Sequence, residues 1–512
     1  MIDRYFEKRL GALVNSGQPE LLQGGRKGVE KESLRVTPDG ALAQTPHPRA
    51  LGSALTHEHI TTDYSEALIE LVTPTFTTSW ELLQYLLDLH QFVYRHLGDE
   101  LLWATSMPCN IARDEDIPLA QYGRSNVAKM KNVYRNGLGI RYGRKMQAIS
   151  GVHFNYSFPE RFWELHAALR QSREQGQRFI SASYFDLLRN YRRHGWIVLY
   201  LFGVSPVVCG GEVDEPYATS LRMSDIGYRN RNQAGVEVSV NSLEEYVRDL
   251  TRAINTPHPP YEALGVKVNG PDGEQYRQLN ANILQIENEY YSYIRPKRVA
   301  RSGEKPTRAL TRAGVEYVEV RALDVSAFDP VGVNQHKMRF LEAFLALCLL
   351  KDSPPIGISE QAALDRNHLT VARRGRDPQL VLWRDGESVS MRDWAHELLD
   401  EMTGLCEVLD RGDPARPYSH SLQAQAAKVD DGALTPSARL TRELSETNES
   451  FFELALRMSR LHKDYFLDLY TPNEARLKEL AAEAATSLEK QTAIEAADRD
   501  SFDTYLARYF AQ

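Results

Sequence analysis

The chain has 512 residues, with 61 lysines and arginines, 69 aspartates and glutamates, and a formal net charge of −8. This length allows a large buried core and about two to four domains, whereas the negative charge argues against a general nucleic-acid binder. The most apolar segments, residues 196–209 and 341–350, are too short to span a bilayer, so no membrane partner is expected.

The cysteines are few and scattered, at positions 109, 209, 348 and 406. No Cys-x-x-Cys spacing occurs, so the sequence indicates neither a zinc site nor a disulfide scaffold, and scattered cysteines fit a reducing compartment. Residues 1–6 carry charges where a signal peptide needs an apolar run. We therefore expect a cytoplasmic protein.

The first informative stretch follows a predicted amphipathic helix over residues 1–22. Residues 28–36 read as a strand that ends at the turn cluster of residues 37–40. Side chains alternate along a strand, so Glu30 and Glu32 share a face and lie roughly 7 Å apart. Two carboxylates at that distance repel by about 2 kcal/mol at an effective dielectric near 20. A divalent cation such as Mg²⁺ or Mn²⁺ would remove the repulsion; a solvated strand face is the alternative.

A second predicted strand lies in residues 61–74 and is ended by Pro74. Glu66 and Glu70 share its otherwise apolar face, and Asp63 lies just before it. A buried glutamate is uncommon without a partner, which favours a site over a sheet-edge position in water.

The pattern continues after a predicted helix over residues 79–100. Residues 149–157 alternate cleanly, with His153 and Asn155 on a polar face opposite an apolar one, as in a sheet that lines a site. A long helix is predicted over residues 178–201. Arg222 follows it and has the fork geometry that binds a carboxylate through two hydrogen bonds, although a surface arginine would look the same.

The second half of the sequence begins with a predicted helix over residues 242–256 and a strand over residues 279–286. Residues 294–298 then bring three positive charges together, among them Arg295 and Lys297. The clearest strand of this half is residues 314–324, where Glu319 and Arg321 share a face. That pair suits a metal–phosphate site, and a simple ion pair on the sheet face is the alternative.

From about residue 333 the pattern is helical, with helices predicted over residues 337–350 and 391–410. Residues 436–512 are predicted to form three or four further helices. We find no repeat and no long linker. The organisation that follows is a catalytic α+β domain of residues 1–435 with a helical extension, residues 436–512, packed on the same domain.

These features favour one kind of chemistry. The sequence lacks a Gly-x-x-x-x-Gly-Lys-Ser/Thr loop and a Gly-x-Gly-x-x-Gly motif, so a P-loop or Rossmann nucleotide site is not expected. Acids, one histidine and several arginines instead recur on the inner faces of distant strands. An antiparallel sheet whose concave face holds divalent cations suits phosphoryl transfer from a nucleotide, which depends on positioning and charge neutralisation.

At this level of detail the chain resembles the bacterial glutamate–cysteine ligases. The resemblance runs in order through residues 28–36, 51–57, 61–63, 149–153, 217–228, 284–289, 294–298 and 316–321 and covers most of residues 20–350. It implies a glutamine-synthetase-like α+β fold, a curved and mostly antiparallel sheet with surrounding helices. It also implies an ATP-dependent ligase that phosphorylates the γ-carboxylate of glutamate and joins it to cysteine, the first step of glutathione biosynthesis.

The resemblance also implies roles for individual residues. The implied ligands of Mg²⁺, with Mn²⁺ as a substitute, are Glu30, Glu32, Asp63, Glu70, Glu319 and His153, the last also beside the amino-acid site. The implied cysteine pocket contains Tyr134, Arg222, Tyr228 and Tyr291. Arg295, Lys297 and Arg321 would meet phosphate oxygens, and Glu30, Glu32 and Arg321 would act directly in catalysis. The partners are small molecules, and a monomer is favoured.

The chain departs from the family in residues 210–216, a short segment where relatives carry a longer insertion, which leaves open how the loop near Arg222 closes over substrate. Two other functions remain open at this point. One is an ATP-dependent glutamate ligase that uses a different amine. The other is a catalytically silent binding protein on the same fold, which loss of site acids would indicate; none is missing here.

Overall fold

The computed structural model describes residues 4–210, 215–227, 236–270, 273–301, 303–469 and 471–512. Its centre is a seven-stranded antiparallel sheet in which the strands follow the order β2-β3-β1-β5-β9-β8, with β4 paired to β1. The strands β1 to β11 are Arg26–Val36, Ile60–Thr62, Leu68–Val72, Leu101–Leu102, Gly151–Ser157, Lys267–Gly270, Gly273–Tyr276, Ile294–Lys297, Tyr317–Asp324, Val381–Arg384 and Glu387–Ser390.

Helices surround this sheet and form most of the second half of the chain. The helices α1 to α18 are Arg4–Asn15, Ser79–Tyr94, Asn126–Tyr142, Arg144–Gln147, Phe162–Leu169, Gly176–His194, Trp196–Phe202, Leu243–Asn255, Pro259–Leu264, Pro306–Ala313, Gln335–Leu350, Ile358–Arg374, Met391–Leu409, Pro417–Asp430, Pro436–Thr447, Phe451–Leu467, Glu474–Ala497 and Phe502–Phe510. The predicted fold class, α+β with an antiparallel sheet and surrounding helices, is confirmed.

The main hydrophobic core lies on the back face of the sheet. Alternate residues of each strand point to it, including Val29 on β1, Phe154 on β5 and Val320 on β9, all essentially buried. Helix α11 is buried along nearly its whole length and packs against α6, α13 and α14. Because the back face supplies the core, the front face is left for polar side chains.

A buried ion pair fixes β1 on this core. The Nζ atom of Lys27 lies 2.8 Å from a carboxylate oxygen of Glu342 on α11, and both side chains are at most 1% exposed. The hydroxyls of Tyr156 and Tyr418 donate to the same carboxylate at 3.2 and 2.8 Å. The strand that carries Glu30 and Glu32 is therefore held by charge as well as by apolar packing.

Several predicted elements differ from the structure. The predicted strand over residues 279–286 is wrong: these residues are irregular, and the side-chain amide oxygen of Gln285 accepts the backbone N–H of Leu279. The sequence of residues 103–108 also predicts a short strand and turn, but the strand lies earlier, at Leu101–Leu102. The prediction that the chain is helical from residue 333 missed the hairpin of β10 and β11, whose turn residues Asp385 and Gly386 have φ of 53° and 93°.

The C-terminal helices α15 to α18 pack on the rest of the chain. The backbone N–H of Ser53 donates to the hydroxyl of Ser487 on α17 at 2.9 Å, and the amide of Gln91 donates to the carbonyl of Phe466 on α16 at 3.2 Å. The boundary at residue 435 stays a prediction. Within the described residues, none of the helices combines the length and apolar character that crossing a bilayer requires.

Candidate active site

The front face of the sheet gathers the predicted acids. In the strand register, Glu30 pairs with His153 and Glu32 pairs with Glu70. Residues that pair directly across antiparallel strands have their side chains on the same face. Four candidate site residues from β1, β3 and β5 are thus brought together on one face of the sheet.

The same face continues onto β9 and β8 and changes charge as it does so. Glu319 pairs with Asn155 on one side and with Arg295 on the other, and Lys297 pairs with Tyr317. The register between β5 and β9 shifts opposite His153, so one extra residue of β9 is inserted next to Arg321. Such bulges re-aim side chains beside sites. The face therefore runs from carboxylates on β3 and β1 to cations on β9 and β8.

Glu30 is held by two partners on β5. The amide of Asn155 donates to one of its oxygens at 3.0 Å, and Nδ1 of His153 lies 3.1 Å from the other. Burial favours the neutral acid, but the His153 hydrogen bond lowers the pKa of Glu30 below its usual value. Glu30 is thus an oriented carboxylate.

Glu32 is almost completely buried, and the backbone N–H of Gly151 donates to it at 2.7 Å. Its other oxygen lies 3.8 Å from Nε2 of His153. Burial raises the pKa of this carboxyl. Burial, together with repulsion from Glu30 and Asp63, also raises the pKa of Glu70 well above its usual value. These carboxylates are therefore crowded and short of positive charge.

Glu319 stands in the opposite environment. Nη1 of Arg321 lies 2.9 Å from one of its oxygens and Nζ of Lys297 lies 3.6 Å from the other, with Nδ1 of His153 also at 3.6 Å. Burial favours the neutral acid, but these positive groups hold the pKa of Glu319 well below its usual value. Glu319 therefore links the acidic part of the face to its cationic part.

The acids fit a divalent cation. Glu30, Glu70 and His153 each offer a ligand atom, and these atoms lie within 4.8 Å of one another. Nε2 of His153 is buried without a hydrogen-bond partner among the described residues. Carboxylate oxygens suit both Mg²⁺ and Mn²⁺. A cation at this place would compensate the charges of Glu32 and Glu70, whose pKa values are raised first by burial and then by neighbouring carboxylates.

A small pocket opens beside these acids. Its lining consists of Glu32, Asp63, Met146, Gln147, Ile149 and Tyr291. The amide of Gln147 donates to the hydroxyl of Tyr291 at 2.7 Å, which fixes that ring at the pocket wall. The predicted acid Asp63 and the predicted pocket residue Tyr291 thus share one cavity.

Two of the predicted arginines, Arg222 and Arg295, donate hydrogen bonds to backbone carbonyls. Arg222 is completely buried, donates twice to the carbonyl of Arg321 at 3.2 Å, and lies 3.9 Å from Asp324. A Cβ on Gly151 would lie 2.0 Å from its guanidinium, so Arg222 lies directly under the strand end that binds Glu32. Arg295 donates to the backbone carbonyls of Asn288 and Tyr290.

Tyr134 and Tyr228 were both predicted to belong to the cysteine pocket. Tyr134 lies on α3, where its backbone carbonyl accepts from Gln285 at 3.2 Å and burial raises the pKa of its hydroxyl. Tyr228 lies outside the described residues.

The structure adds residues that sequence reasoning did not assign and removes one from consideration. Asn155 holds Glu30, and its position on the polar face of β5 was the available signal. Met146 and Gln147 carried no signal, since they end a short helix. Glu66 does not join the site, because its carboxylate accepts the backbone N–H groups of His47 and Gln121 at 2.8 and 2.7 Å.

The cysteine expectation needs a correction. Cys109 and Cys209 form a disulfide, whereas Cys348 and Cys406 are buried free thiols. The two bonded cysteines are 100 residues apart in sequence, so spacing alone gave no indication that the fold brings them together. The disulfide joins the loop after β4 to the loop that leads toward Arg222.

Comparisons with known proteins point to one family. The family model described as glutamate-cysteine ligase matches residues 10–371. A glutamate–cysteine ligase of Alcanivorax borkumensis is 50% identical over 99% of this chain and 99% of its own length. One from Pseudomonas putida strain W619 is 47% identical over 98% of this chain and 97% of its own.

Solved structures agree with the sequence relatives. A glutamate–cysteine ligase from Francisella tularensis in complex with AMP superimposes with a TM-score of 0.89 at 37% identity, covering 96% of this chain and 98% of that one. A bifunctional glutathione synthetase from Pasteurella multocida gives a TM-score of 0.73 at 25% identity, over 90% of this chain and 55% of that longer one.

Proposed function

The chain belongs to the glutamate–cysteine ligase family, and from this premise we propose how the front face of its sheet catalyses the ATP-dependent joining of glutamate to cysteine, the first step of glutathione biosynthesis. One observation carries the proposal: acids of β1 and β3 and the histidine of β5 converge beside Glu319 and the cations of β8 and β9. A face that holds metal ions at one side and phosphate oxygens at the other suits phosphoryl transfer.

The reaction needs no nucleophile from the protein. An oxygen of the glutamate γ-carboxylate attacks the γ-phosphorus of ATP, the bond to the β–γ bridging oxygen breaks, and ADP leaves. The cysteine amine then attacks the resulting acyl phosphate, and phosphate departs with the former carboxylate oxygen while the amine loses a proton. The task of the protein is to align these groups and to neutralise charge.

We propose that Glu30, Glu32, Asp63, Glu70, Glu319 and His153 hold Mg²⁺, or Mn²⁺ in its place. When bound, such ions neutralise the triphosphate and polarise the transferring phosphoryl group. The support is the convergence of these residues, together with the pKa values of Glu32 and Glu70, which burial raises and neighbouring carboxylates raise further. Asn155 and Gly151 orient the carboxylates through hydrogen bonds.

The cations have a different proposed task. Nη1 of Arg321 and Nζ of Lys297 lie 2.9 and 3.6 Å from the carboxylate oxygens of Glu319. We propose that both side chains bind phosphate oxygens of ATP. Arg295 is placed in the same group, although its donors now bind backbone carbonyls of residues 288 and 290. Arg321, with Glu30 and Glu32, would act on the transferred phosphoryl group itself.

The cysteine site is proposed at the pocket beside Asp63. Tyr134, Arg222, Tyr228 and Tyr291 are its candidate residues, and we add Met146 and Gln147 because they line the same cavity as Tyr291. A thioether and an aromatic ring make favourable neighbours for a small thiol side chain. The short segment of residues 210–216 lies between the disulfide cysteine Cys209 and Arg222 in sequence.

We also propose that a single chain suffices and that it works in the cytoplasm. Glu30, Glu70, His153 and Glu319 lie on one face of the sheet within a single chain, which supports a site completed by one copy. The cytoplasm is the compartment that supplies both ATP and free amino acids. We further propose the helices of residues 436–512 as an extension that supports this domain.

The function is tested by measuring ADP release with ATP, Mg²⁺ and glutamate, with and without cysteine, and by determining the mass of the product. We expect ADP release that depends on cysteine, together with the mass of γ-glutamylcysteine. Release that requires another amine would overturn the substrate assignment while keeping the metal site. Absence of turnover with every amine would overturn the enzyme assignment.

A substitution of Arg222 tests the amino-acid site. Arg222→Ala is expected to raise the KM for glutamate or cysteine about 10- to 100-fold while changing the KM for ATP much less, because a charged hydrogen bond contributes about 1.5–3 kcal/mol. Arg222→Lys keeps the charge but loses the fork, so an intermediate KM is expected. Steady-state kinetics with each substrate varied decide the matter. An effect on ATP alone would move Arg222 to the phosphate site.

A further inference from the structure

A second group of metal-ligating side chains lies away from the acids of the front face. It consists of Glu58 and His59, which immediately precede β2, and Glu483 on α17. One ligand atom from each of these residues lies within 4.8 Å of the others. We refer to these three residues as the His59 cluster.

The ring of His59 is held in the orientation that metal-binding histidines adopt. Its Nδ1 lies 2.9 Å from the carbonyl oxygen of Val72 on β3. A carbonyl can only accept, so Nδ1 carries the proton and the lone pair is on Nε2. Nε2 points toward Glu483, whose Oε2 atom is 3.9 Å away. A second ring nitrogen donating to a backbone carbonyl is the usual outer contact of a histidine ligand.

Glu483 is also oriented by contacts of its own. Its Oε1 atom accepts the backbone N–H of Glu58 at 2.9 Å and lies 3.4 Å from Nδ1 of the buried His57. That Nδ1 already accepts the backbone N–H groups of His59 and Ile60, each at 3.0 Å. The carboxylate therefore faces two imidazole nitrogens, of which His57 Nδ1 is already engaged with the backbone and His59 Nε2 has the lone pair that a cation would take.

Glu58 is the exposed member of the cluster. One of its oxygens lies 3.4 Å from Nζ of Lys490, a long flexible side chain that can move aside when another cation binds. Separations of up to 4.8 Å between ligand atoms exceed those around a tetrahedral ion with bonds of about 2.0–2.2 Å. A change of rotamer at Glu58, which half faces solvent, would close this difference.

We propose that the His59 cluster binds one divalent transition-metal ion of the Zn²⁺ class through one imidazole nitrogen and two carboxylates. Zinc accepts both imidazole nitrogen and carboxylate oxygen, and three protein ligands leave the fourth position for water. The ion would join α17 to the hairpin of β2 and β3, and the same hairpin carries Asp63 and Glu70. The site is separate from the proposed magnesium ligands and stabilises the contact between the C-terminal helices and the sheet.

Zinc binding to the purified full-length protein tests this proposal. Zn²⁺ is titrated against a chromophoric chelator in excess Mg²⁺, which competes for the acids of the front face. The wild type is expected to bind one more zinc ion than His59→Gln or Glu483→Gln, or to bind that ion more than about tenfold more tightly. Even residues that only hydrogen-bond to metal ligands change metal affinity by about 10–100-fold. Zinc should raise the thermal midpoint of the wild type but not of these variants.

The matched control is His396→Gln, because His396 lies 3.4 Å from a carboxylate oxygen of Asp430 in a simple exposed pair. It should bind zinc like the wild type. His59→Gln should also keep its ligase activity, since His59 lies outside the catalytic machinery. Equal zinc stoichiometry and affinity in wild type, His59→Gln and Glu483→Gln would overturn the proposal and leave an ordinary ion pair between a protonated His59 and Glu483.

Discussion

Glu30→Gln is expected to lower kcat at least about a hundredfold at saturating ATP, glutamate and Mg²⁺. The substitution removes one charge and almost no volume, and Asn155, which donates at 3.0 Å, can still donate to the remaining carbonyl oxygen. The fold should therefore persist. The lost metal ligand leaves the transferring phosphoryl group without part of its compensating charge, a loss of several kcal/mol, and each 1.36 kcal/mol is tenfold in rate.

The control for this substitution is Glu401→Gln, which changes a largely buried carboxylate on α13 that pairs with Lys351 at 2.6 Å. Its kcat should stay near that of the wild type. Turnover of Glu30→Gln within a few-fold of wild type at saturating Mg²⁺ would remove Glu30 from the metal site. Circular dichroism of both variants checks that any loss of rate is not a loss of fold.

Lys27→Met is expected to give the largest loss of stability, about 3–5 kcal/mol in the free energy of unfolding. Lys27 and Glu342 are 2.8 Å apart and at most 1% exposed, and removing one partner of such a pair leaves an uncompensated buried charge. The methionine keeps the apolar stem but cannot donate to the carbonyl of Thr77, which Lys27 does at 2.8 Å. Urea unfolding followed by circular dichroism measures the change.

The double variant Lys27→Met/Glu342→Gln separates charge from packing. It removes both charges while the glutamine oxygen can still accept from Tyr418, whose hydroxyl donates at 2.8 Å. Most of the lost stability should return, because replacing a buried pair as a whole is often neutral. If the double variant is no more stable than Lys27→Met, the loss arises from packing at residue 27 and the charge argument is wrong.

Strands of the sheet could be predicted from the sequence wherever they have one polar and one apolar face. Alternation alone placed Glu30 and Glu32 on one face of their strand. It also placed His153 and Glu319 on the polar faces of theirs, opposite the apolar side chains that form the core. The same rule could not show which strands are neighbours. The pairing of β5 with both β1 and β9, which brings His153 between Glu30 and Glu319, depends on contacts distant in sequence.

Misses occurred where local patterns and three-dimensional contacts disagree. Residues 279–286 are apolar enough to resemble a strand, yet Gln285 satisfies the backbone locally. Asp385-Gly386 is a standard hairpin signal that the helical pattern around it obscured. The pairing of Cys109 with Cys209 and the backbone partners of Glu66 have no local signature, because each joins segments that meet only in the folded chain.

The most direct test of the account follows one oxygen atom. Glutamate labelled with oxygen-18 in its γ-carboxylate is supplied with ATP, Mg²⁺ and cysteine, and the released phosphate is analysed by mass. If ATP phosphorylates the carboxylate, one phosphate is released for each peptide bond formed, and that phosphate carries one labelled oxygen. Phosphate without label would contradict activation of glutamate by ATP, and with it the role assigned to the acids and cations of the front face.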